Sequence, residues 1–447
     1  IFIMNVLSWG ANSHGQLGQG TVSEQCTTPQ PVIQTWTGEV KEISGGGGHS
    51  LLINENGWIF ACGWNHQRQL GFVDKSIENN HCHTFTRNWD LSGLTFIKIC
   101  TGWDSSAAIT EKNVLYLWGS NAYGQLGLPR EHFPNALKPI QLELKGKTIS
   151  MGMRHTILVD INGCVWSTGC GKRGQLGLGD SILNSDTFKK IPGLVNIENA
   201  VCGQHHTLAW SKMDGIMYAW GDNSHGQLGC NKNVFDQVFF PIKVAVLSNC
   251  LGDISSIYSG WTHSAVLLNN GKTIYWGRNN YGQLACDYNP EQSHNAPNIK
   301  DLAIQKLSLG SEHSVCLAAD GTVWAWGWNE HANTGTGGTS DNVKEPQSVK
   351  VNNNSIVNIF SGAGHNFLCS SHTLEVKPSP TQSQPIGALK SELIIKAANA
   401  RSLQGFILSQ AKSCRCMCLS LFSITCFRFI EFQITMVLKK FSLQKLQ

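Results

Sequence analysis

Apolar positions along this chain fall in short runs separated by turn residues, and the runs keep step with two recurring phrases. Residues 264–268 are apolar-rich, 269–271 carry an Asn-Gly turn signal, 273–276 favour strand, and Gly277 ends the run. Two short strands joined by such a turn predict a β-hairpin. The same layout recurs at 49–63 around Asn56-Gly57, at 155–169 around Asn162-Gly163, and at 313–327 around Asp320-Gly321. About 30 variable residues lie between one Gln-Leu-Gly and the next Gly-x-x-His. They often carry Pro followed by an apolar stretch, such as 191–201. Such stretches can supply the remaining strands of a four-stranded sheet.

The first phrase is Trp-Gly-x-Asn-x-x-Gly-Gln-Leu-Gly, complete at 9–18, 118–127 and 220–229 and degraded at 62–71, 168–177, 276–285 and 326–335. The second is Gly-x-x-His, ending at His49, His155, His206, His263, His313 and His365, with a seventh copy at 102–105 that ends in Ser105. The motif glycines Gly10, Gly63, Gly119, Gly169, Gly221, Gly277 and Gly327 stand 50 to 56 residues apart. A fixed period in this range marks a repeat architecture. A sheet with two apolar faces cannot cover them alone, and radial stacking covers both. The pattern therefore predicts an all-β fold, a seven-bladed β-propeller with the motif tryptophans wedged between blades. The chain opens on a Trp-Gly phrase without its Gly-x-x-His half and finishes its repeats on the reverse. Strands from both termini are thus expected to complete one blade and remove two open edges. A catalytic site is needed once, so residues repeated seven times read as scaffold. Function belongs where the repeats differ.

Composition sets the domain limits. Residues 1–374 read as the propeller, 375–389 as a Pro/Ser/Gln linker, and 390–447 as a tail without repeat character. Within the tail, 416–438 is apolar, but Arg428 and Glu431 would be expensive in lipid. A gene-model artefact is the leading reading of the tail and a membrane anchor the second. The formal net charge is +4, with 34 basic and 30 acidic side chains. Beyond Leu374 stand 10 basic and 3 acidic residues, which leaves 24 and 27, a net of −3, in the repeats. That balance argues against nucleic-acid binding. The 16 cysteines include no Cys-x-x-Cys pair. They read as small buried hydrophobes in a reducing compartment, cytosol or nucleus, and no signal peptide is evident.

Several motifs invite chemistry. The six recurrent histidines are expected to be structural, each bonding a backbone carbonyl inside its own blade. His81-Cys82-His83 has metal-ligand residue types without finger spacing, and one strand would turn them in alternate directions. Gly146-Lys147-Thr148 and Gly271-Lys272-Thr273 echo a phosphate loop but lead into strand-like sequence, where no helix N-terminus follows. The informative positions are the two residues inside each Gly-x-x-His: Gly47-Gly48, Trp103-Asp104, Met153-Arg154, Gln204-His205, Trp261-Thr262, Ser311-Glu312 and Ala363-Gly364. All seven pairs are expected on one face, with Asp104 and Glu312 facing solvent. A scaffold turn would tolerate small residues throughout. Trp103, Asp104, Arg154, Trp261 and Glu312 are therefore candidate partner-binding residues, against the alternative that the tryptophans pack between blades.

The two phrases together resemble the RCC1-type repeat (regulator of chromosome condensation), over about residues 4–370 and in all seven copies. The phrases at 45–50, 100–104, 259–263, 310–313 and 326–331 resemble the branch of secretion-regulating guanine nucleotide exchange factors. The resemblance implies a monomeric protein-binding propeller in cytoplasm and nucleus, linked to secretion. Its partner would be a small GTPase, an exocyst component or both. Exchange would involve no covalent chemistry, cofactor or metal. The alternatives are a non-catalytic adaptor and the substrate-recognition module of a ubiquitin ligase, although 371–447 has no ligase-like sequence. Chromatin binding fits poorly with the −3 charge of the repeats and the missing basic arm. The sequence departs from the pattern at Ser105 for His, Cys62 and Thr168 for Trp, Arg68 for a turn Gly, and Asn333-Thr334 for Gln-Leu. Irregular blades are expected there.

Overall fold

Every Gly-x-x-His phrase opens a strand that pairs antiparallel with the strand ending in Trp-Gly, and the register is the same each time. His49 faces Gly63, His155 faces Gly169, His206 faces Gly221, His263 faces Gly277, and His313 faces Gly327. Ser105 faces Gly119 in the same way, and Gly10 faces His365 across the two ends of the repeat region. The motif glycines have φ between 95° and 108°, a backbone conformation that disfavours side chains. A Cβ at Gly10 or Gly327 would also strike the carbonyl of Gly364 or Glu312, the residue before the histidine. That carbonyl accepts the N–H following the glycine, from Ala11 to Gly364 and from Trp328 to Glu312, both at 2.8 Å. At the turn-glycine position, Arg68 and Ala332 take φ of 66° and 59°. The left-handed turn is thus kept without glycine, at a cost of about 1–2 kcal/mol each.

The computed structural model describes residues 2–72, 81–244, 254–285, 302–351 and 355–373. They fall in the first of two units, Ile1–Leu374 and Glu375–Gln447. The expected linker and tail lie outside the described residues. Among the described residues four sheets have four strands, one has three and one has seven. In the seven-stranded sheet the long strand Asn135–Met151 pairs with Val114–Ser120 through its first part and with His155–Asp160 through its last. Two expected four-stranded sheets thus share one strand. Phe2–Ala11 lies between Gln25–Pro31 and His365–Thr373, as the split phrase at the chain ends requires. Among the described residues no helix is long and apolar enough to cross a membrane.

The core sits between neighbouring sheets. Trp220, for example, packs in one cluster with Val165, Leu208 and Trp276. Trp9, Trp118, Trp220, Trp276 and Trp326 are fully buried. Each indole N–H donates to a backbone carbonyl of the preceding phrase: Trp118 to Gln69, Trp220 to Gln175, Trp276 to Gln227 and Trp326 to Gln283, all at 2.9 Å, and Trp9 to Asn333 at 3.0 Å. The same carbonyl receives the side chain that follows the next phrase's histidine. Ser106 donates to Gln69 (2.7 Å), Thr207 to Gln175 (3.2 Å), Ser264 to Gln227 (2.9 Å), Ser314 to Gln283 (3.2 Å), and the Asn366 amide to Asn333 (2.7 Å).

The histidines correct the expectation made for them. They do not bond a carbonyl of their own blade. Each Nε2 reaches the next repeat: His49 to Ser106 (2.9 Å), His155 to Thr207 (3.1 Å), His206 to Ser264 (3.0 Å), His263 to Ser314 (3.4 Å), His313 to the Asn366 Oδ1 (2.9 Å) and His365 to Ser50 (2.8 Å). The partner hydroxyl has one proton, already committed to a carbonyl, so Nε2 must carry the ring proton and donate. The first Gly of the phrase makes room for the ring, since a Cβ at Gly152, Gly203 or Gly260 would collide with its Cε1.

A second series of backbone bonds runs beside the first. Gly47 donates to Trp103, Met153 to Gln204, Gln204 to Trp261, Trp261 to Ser311, Ser311 to Ala363 and Ala363 to Gly46, at 2.8–3.3 Å. Among the described residues both series lack the same link, from the Ser105 phrase to the His155 phrase. That junction is the one spanned by the shared strand Asn135–Met151.

Burial makes these imidazoles hard to protonate. The pKa is lowered from 6.5 to about 3 at His49, His155, His263 and His365, and to about 4 at His206 and His313, first by burial. Between those values and 6.5 the unfolded chain binds protons that the folded chain does not. Stability is therefore complete above the unfolded value and is lost as pH falls toward the folded ones. The slope is about 1.4 kcal/mol per pH unit for each histidine, or roughly 8 kcal/mol for six. Burial raises the carboxyls of Glu42, Asp104 and Glu312, which act in the opposite sense but are fewer. We expect the melting temperature to fall steeply between pH 6.5 and 5, with proton uptake on unfolding measured by calorimetry in two buffers. A flat profile would mean that the rings are not buried neutral. Separately, deleting residues 1–18 removes the strand between Gln25–Pro31 and His365–Thr373. A large drop in melting temperature and aggregation through the freed edges should follow, read by calorimetry and light scattering.

Candidate functional site

With the repeated residues accounted for by the junctions, the variable positions of the phrases are left to face outward at one end of the strands. Residues of all seven Gly-x-x phrases line one cavity of about 190 Å³, from 44–47, 100–103, 150–153, 202–203, 259–261, 309–311 and 361–363. Trp103 and Trp261 meet beside it, with ring centroids 5.4 Å apart and planes inclined at 52°. Both are half-buried. Trp103 lies over Gly47, where a Cβ would be 2.8 Å from the indole. The two tryptophans therefore pack on each other and on a glycine instead of between sheets. Cys100 and Cys202 also line this cavity, and burial pushes their thiols up to about 12, which leaves them unreactive.

Asp104 and Arg154 form one sector. Burial raises the Asp104 carboxyl, opposed by hydrogen bonds from Ser120 and Gln125 and by the charge of Arg154. The Arg154 guanidinium lies 4.4 Å from the Tyr123 ring centroid. Glu312 belongs to another sector and corrects the expectation that it faces solvent. It is 6% exposed. Its carboxylate receives Thr262 Oγ1 and Gln283 Nε2, each at 2.6 Å, and Arg278 Nη1 lies 3.8 Å away. The Gln283 side chain, a scaffold group elsewhere, fixes it inward.

Beside Trp261 and Glu312 opens a pocket of about 490 Å³, which also takes in Arg173, His205, Asp222, His225, Arg278, Tyr281 and Trp328. Most of these come from the x positions of Trp-Gly-x-Asn-x-x-Gly. In the sequence, the x positions of the second phrase stood out because they carry Trp, Asp, Arg and Glu. The same test, asking what exceeds a turn's needs, would have found them in the first. Arg173 Nη1 bonds Asp222 Oδ1 at 3.1 Å. His205 has its pKa lowered to about 4, first by burial and then by Arg173, so its ring is neutral. His81, Cys82 and His83 do alternate along their strand, with Cys82 buried and His83 exposed. Among the described residues no group of three His, Cys, Asp or Glu is placed to hold a metal. Lys147 lies within the strand Asn135–Met151 and pairs with Glu198 at 2.8 Å.

Comparison with known proteins places these features in a family. The model of the RCC1-like domain matches residues 5–368. The secretion-regulating guanine nucleotide exchange factor of Mus musculus is 32% identical over 84% of this chain and 85% of its own length. The regulator of chromosome condensation of Xenopus laevis is 26% identical over 81% of this chain and 89% of its own. Among solved structures, Prp20p from Saccharomyces cerevisiae, described with its binding to Gsp1p and histones, superposes with a TM-score of 0.72 at 21% identity, over 82% of this chain and 91% of that one. The likeness in fold is that of a propeller. By the match across nearly all its described residues and by its kinship with these relatives, the chain belongs to the RCC1-like domain family.

Proposed function

We propose that residues 1–374 form a seven-bladed propeller, closed by strands from both ends, whose Gly-x-x-His face binds a small GTPase and regulates its nucleotide exchange in the control of secretion. The closure reading is supported by the pairing of Phe2–Ala11 with His365–Thr373 and by the His365 to Ser50 bond, which joins the last phrase to the first complete one. The single observation behind the functional reading is that Trp103 and Trp261, side chains in excess of the scaffold from two different phrases, meet at one cavity lined by all seven phrases, with Asp104 and Arg154 as neighbouring positions of those phrases. The kinship with exchange factors names the partner class. Glu312 acts in this reading as a support for the turn at Thr262 and for Arg278, not as a contact. Free cysteines throughout the described chain suit the cytoplasm and nucleus.

Exchange on this surface needs no bond making. A propeller that holds the nucleotide-free GTPase more tightly than the loaded form lowers nucleotide affinity by the same factor, through linkage. An adaptor would bind both forms equally and shift nothing. The experiment captures GTPases from cell extract on the full chain and follows release of a fluorescent guanine nucleotide from each. Accelerated release, with capture reversed by excess GDP, is expected. Capture without acceleration would leave the adaptor.

Trp261→Ala should weaken capture about 30-fold, as loss of an aromatic anchor costs about 2 kcal/mol or more. If the tryptophans serve only packing, the variant will instead lose melting temperature and keep its affinity. Glu312→Lys would bury a second cation against Arg278 and should unfold the sector, at roughly 3–5 kcal/mol. Glu312→Gln should fold. Thermal melting of both variants checks this.

A further inference from the structure

We infer that the 490 Å³ pocket beside Trp261 is a carboxylate receptor, which takes an aspartate or glutamate side chain from an acidic segment of a protein partner. This rests on the reading of the surrounding face as a protein-binding surface and adds the chemistry of what it binds.

The hydrogen-bond inventory carries the inference. The pocket's own acids are satisfied from within. Asp222 receives Arg173 Nη1 at 3.1 Å, Ser224 Oγ at 3.1 Å and Gln227 Nε2 at 2.9 Å. Both oxygens of Glu312 are taken by Thr262 and Gln283. The donors are not all taken by protein acceptors. A guanidinium has five N–H groups in a fixed fork. Among the described residues Arg173 uses one of them, and its side chain is 48% exposed. Arg278 makes only long contacts, 3.4 Å to Asn280 and 3.5 Å to Tyr281, and its approach to Glu312 at 3.8 Å is beyond hydrogen-bonding reach. The guanidinium N–H groups are therefore in surplus while the pocket's carboxylates are engaged, so its complement is an acceptor.

Charge selects among acceptors. Two guanidinium cations face two carboxylates, and His205 is neutral. A monoanion that accepts from the fork adds a single negative charge to this balance. A phosphate dianion would meet Asp222 and Glu312 with more repulsion. The fork is also held ready. The Arg278 guanidinium lies 4.8 Å from the Tyr281 ring centroid, and Tyr281 in turn lies 6.4 Å from Trp328. Aromatic support of this kind orients a guanidinium for two-point contact with a carboxylate. The volume exceeds one carboxylate, and Trp261 and Trp328 offer apolar wall to the residues beside it.

The test uses the full chain and a fluorescent ten-residue glutamate peptide, followed by anisotropy. The peptide should bind, a ten-residue glutamine peptide should not, and acetate should compete better than inorganic phosphate at equal ionic strength. Arg173→Gln with Arg278→Gln should weaken the peptide about tenfold or more, the loss expected for charge-assisted bonds. Arg130→Gln, which removes an ion pair with Asp186 elsewhere on the surface, should leave it unchanged. If the double glutamine variant melts early, the double lysine variant keeps the charge and removes the fork, and it should still bind more weakly than wild type. Equal binding by wild type and the arginine variants, or better competition by phosphate, overturns the proposal. No GTPase enters this measurement. Peptide binding without GTPase capture would sink only the exchange reading, and GTPase capture without peptide binding would sink only this one.

Discussion

The backbone carbonyl of the motif glutamine is the point on which the rest of the structure depends. It is a single acceptor with two lone pairs, and it uses both on the next repeat. At Gln175 they hold the Trp220 indole and the Thr207 hydroxyl, and Thr207 in turn accepts His155. One acceptor thereby ties a fully buried tryptophan, a hydroxyl and a histidine into one junction in which each of the three donated protons has a protein acceptor. The residue types follow from that geometry. An indole combines a large apolar body with one donor at its edge and brings no acceptor that would need a partner. A hydroxyl both donates and accepts, and a neutral imidazole donates from one nitrogen without a charge to bury. At Gln69, Gln227 and Gln283 the arrangement is the same. Asn333 serves as well as glutamine because its backbone carbonyl does the work.

The junction also explains why the repeated histidines carry no chemistry. They are held neutral by burial and each has its Nε2 proton committed, so they are poor general acids or bases near neutral pH. The departures fit the same scheme. Where Ser105 replaces histidine the link is missing, and a shared strand spans that place. Cys62 replaces a tryptophan and still sends a weak donor, its thiol, to Gln16 at 3.4 Å. Thr168, in another tryptophan position, turns its hydroxyl to Gly124 at 2.8 Å.

With the repeated residues committed to the junctions, the variable positions are free to specialise. They emerge from rigid turns, which suits recognition, because little order has to be imposed on binding. The face is uneven. One sector pairs Asp104 with Arg154, and another opens the pocket with Arg173 and Arg278. Trp103 and Trp261 meet between the two sectors.

Much of this was legible in the chain. Strand and turn rhythm, the number of phrases, the structural role of the repeated residues and the pairing of the two ends follow from a pattern that recurs within each 50 to 56 residues, because hairpins are local. The sequence also marked Trp103, Asp104, Arg154, Trp261 and Glu312 as more than a turn requires. Only the tertiary structure decided what each one meets. His155 finds its partner 52 residues on, in the next repeat and not in its own strand pair. Trp103 meets Trp261 across three intervening periods. Glu312 turns inward because Thr262 and Gln283 converge on it from turns of the neighbouring repeat. A period along the chain states which positions are equivalent. Which side chains become neighbours depends on how successive sheets pack face to face, and that geometry is fixed only when the repeats stack.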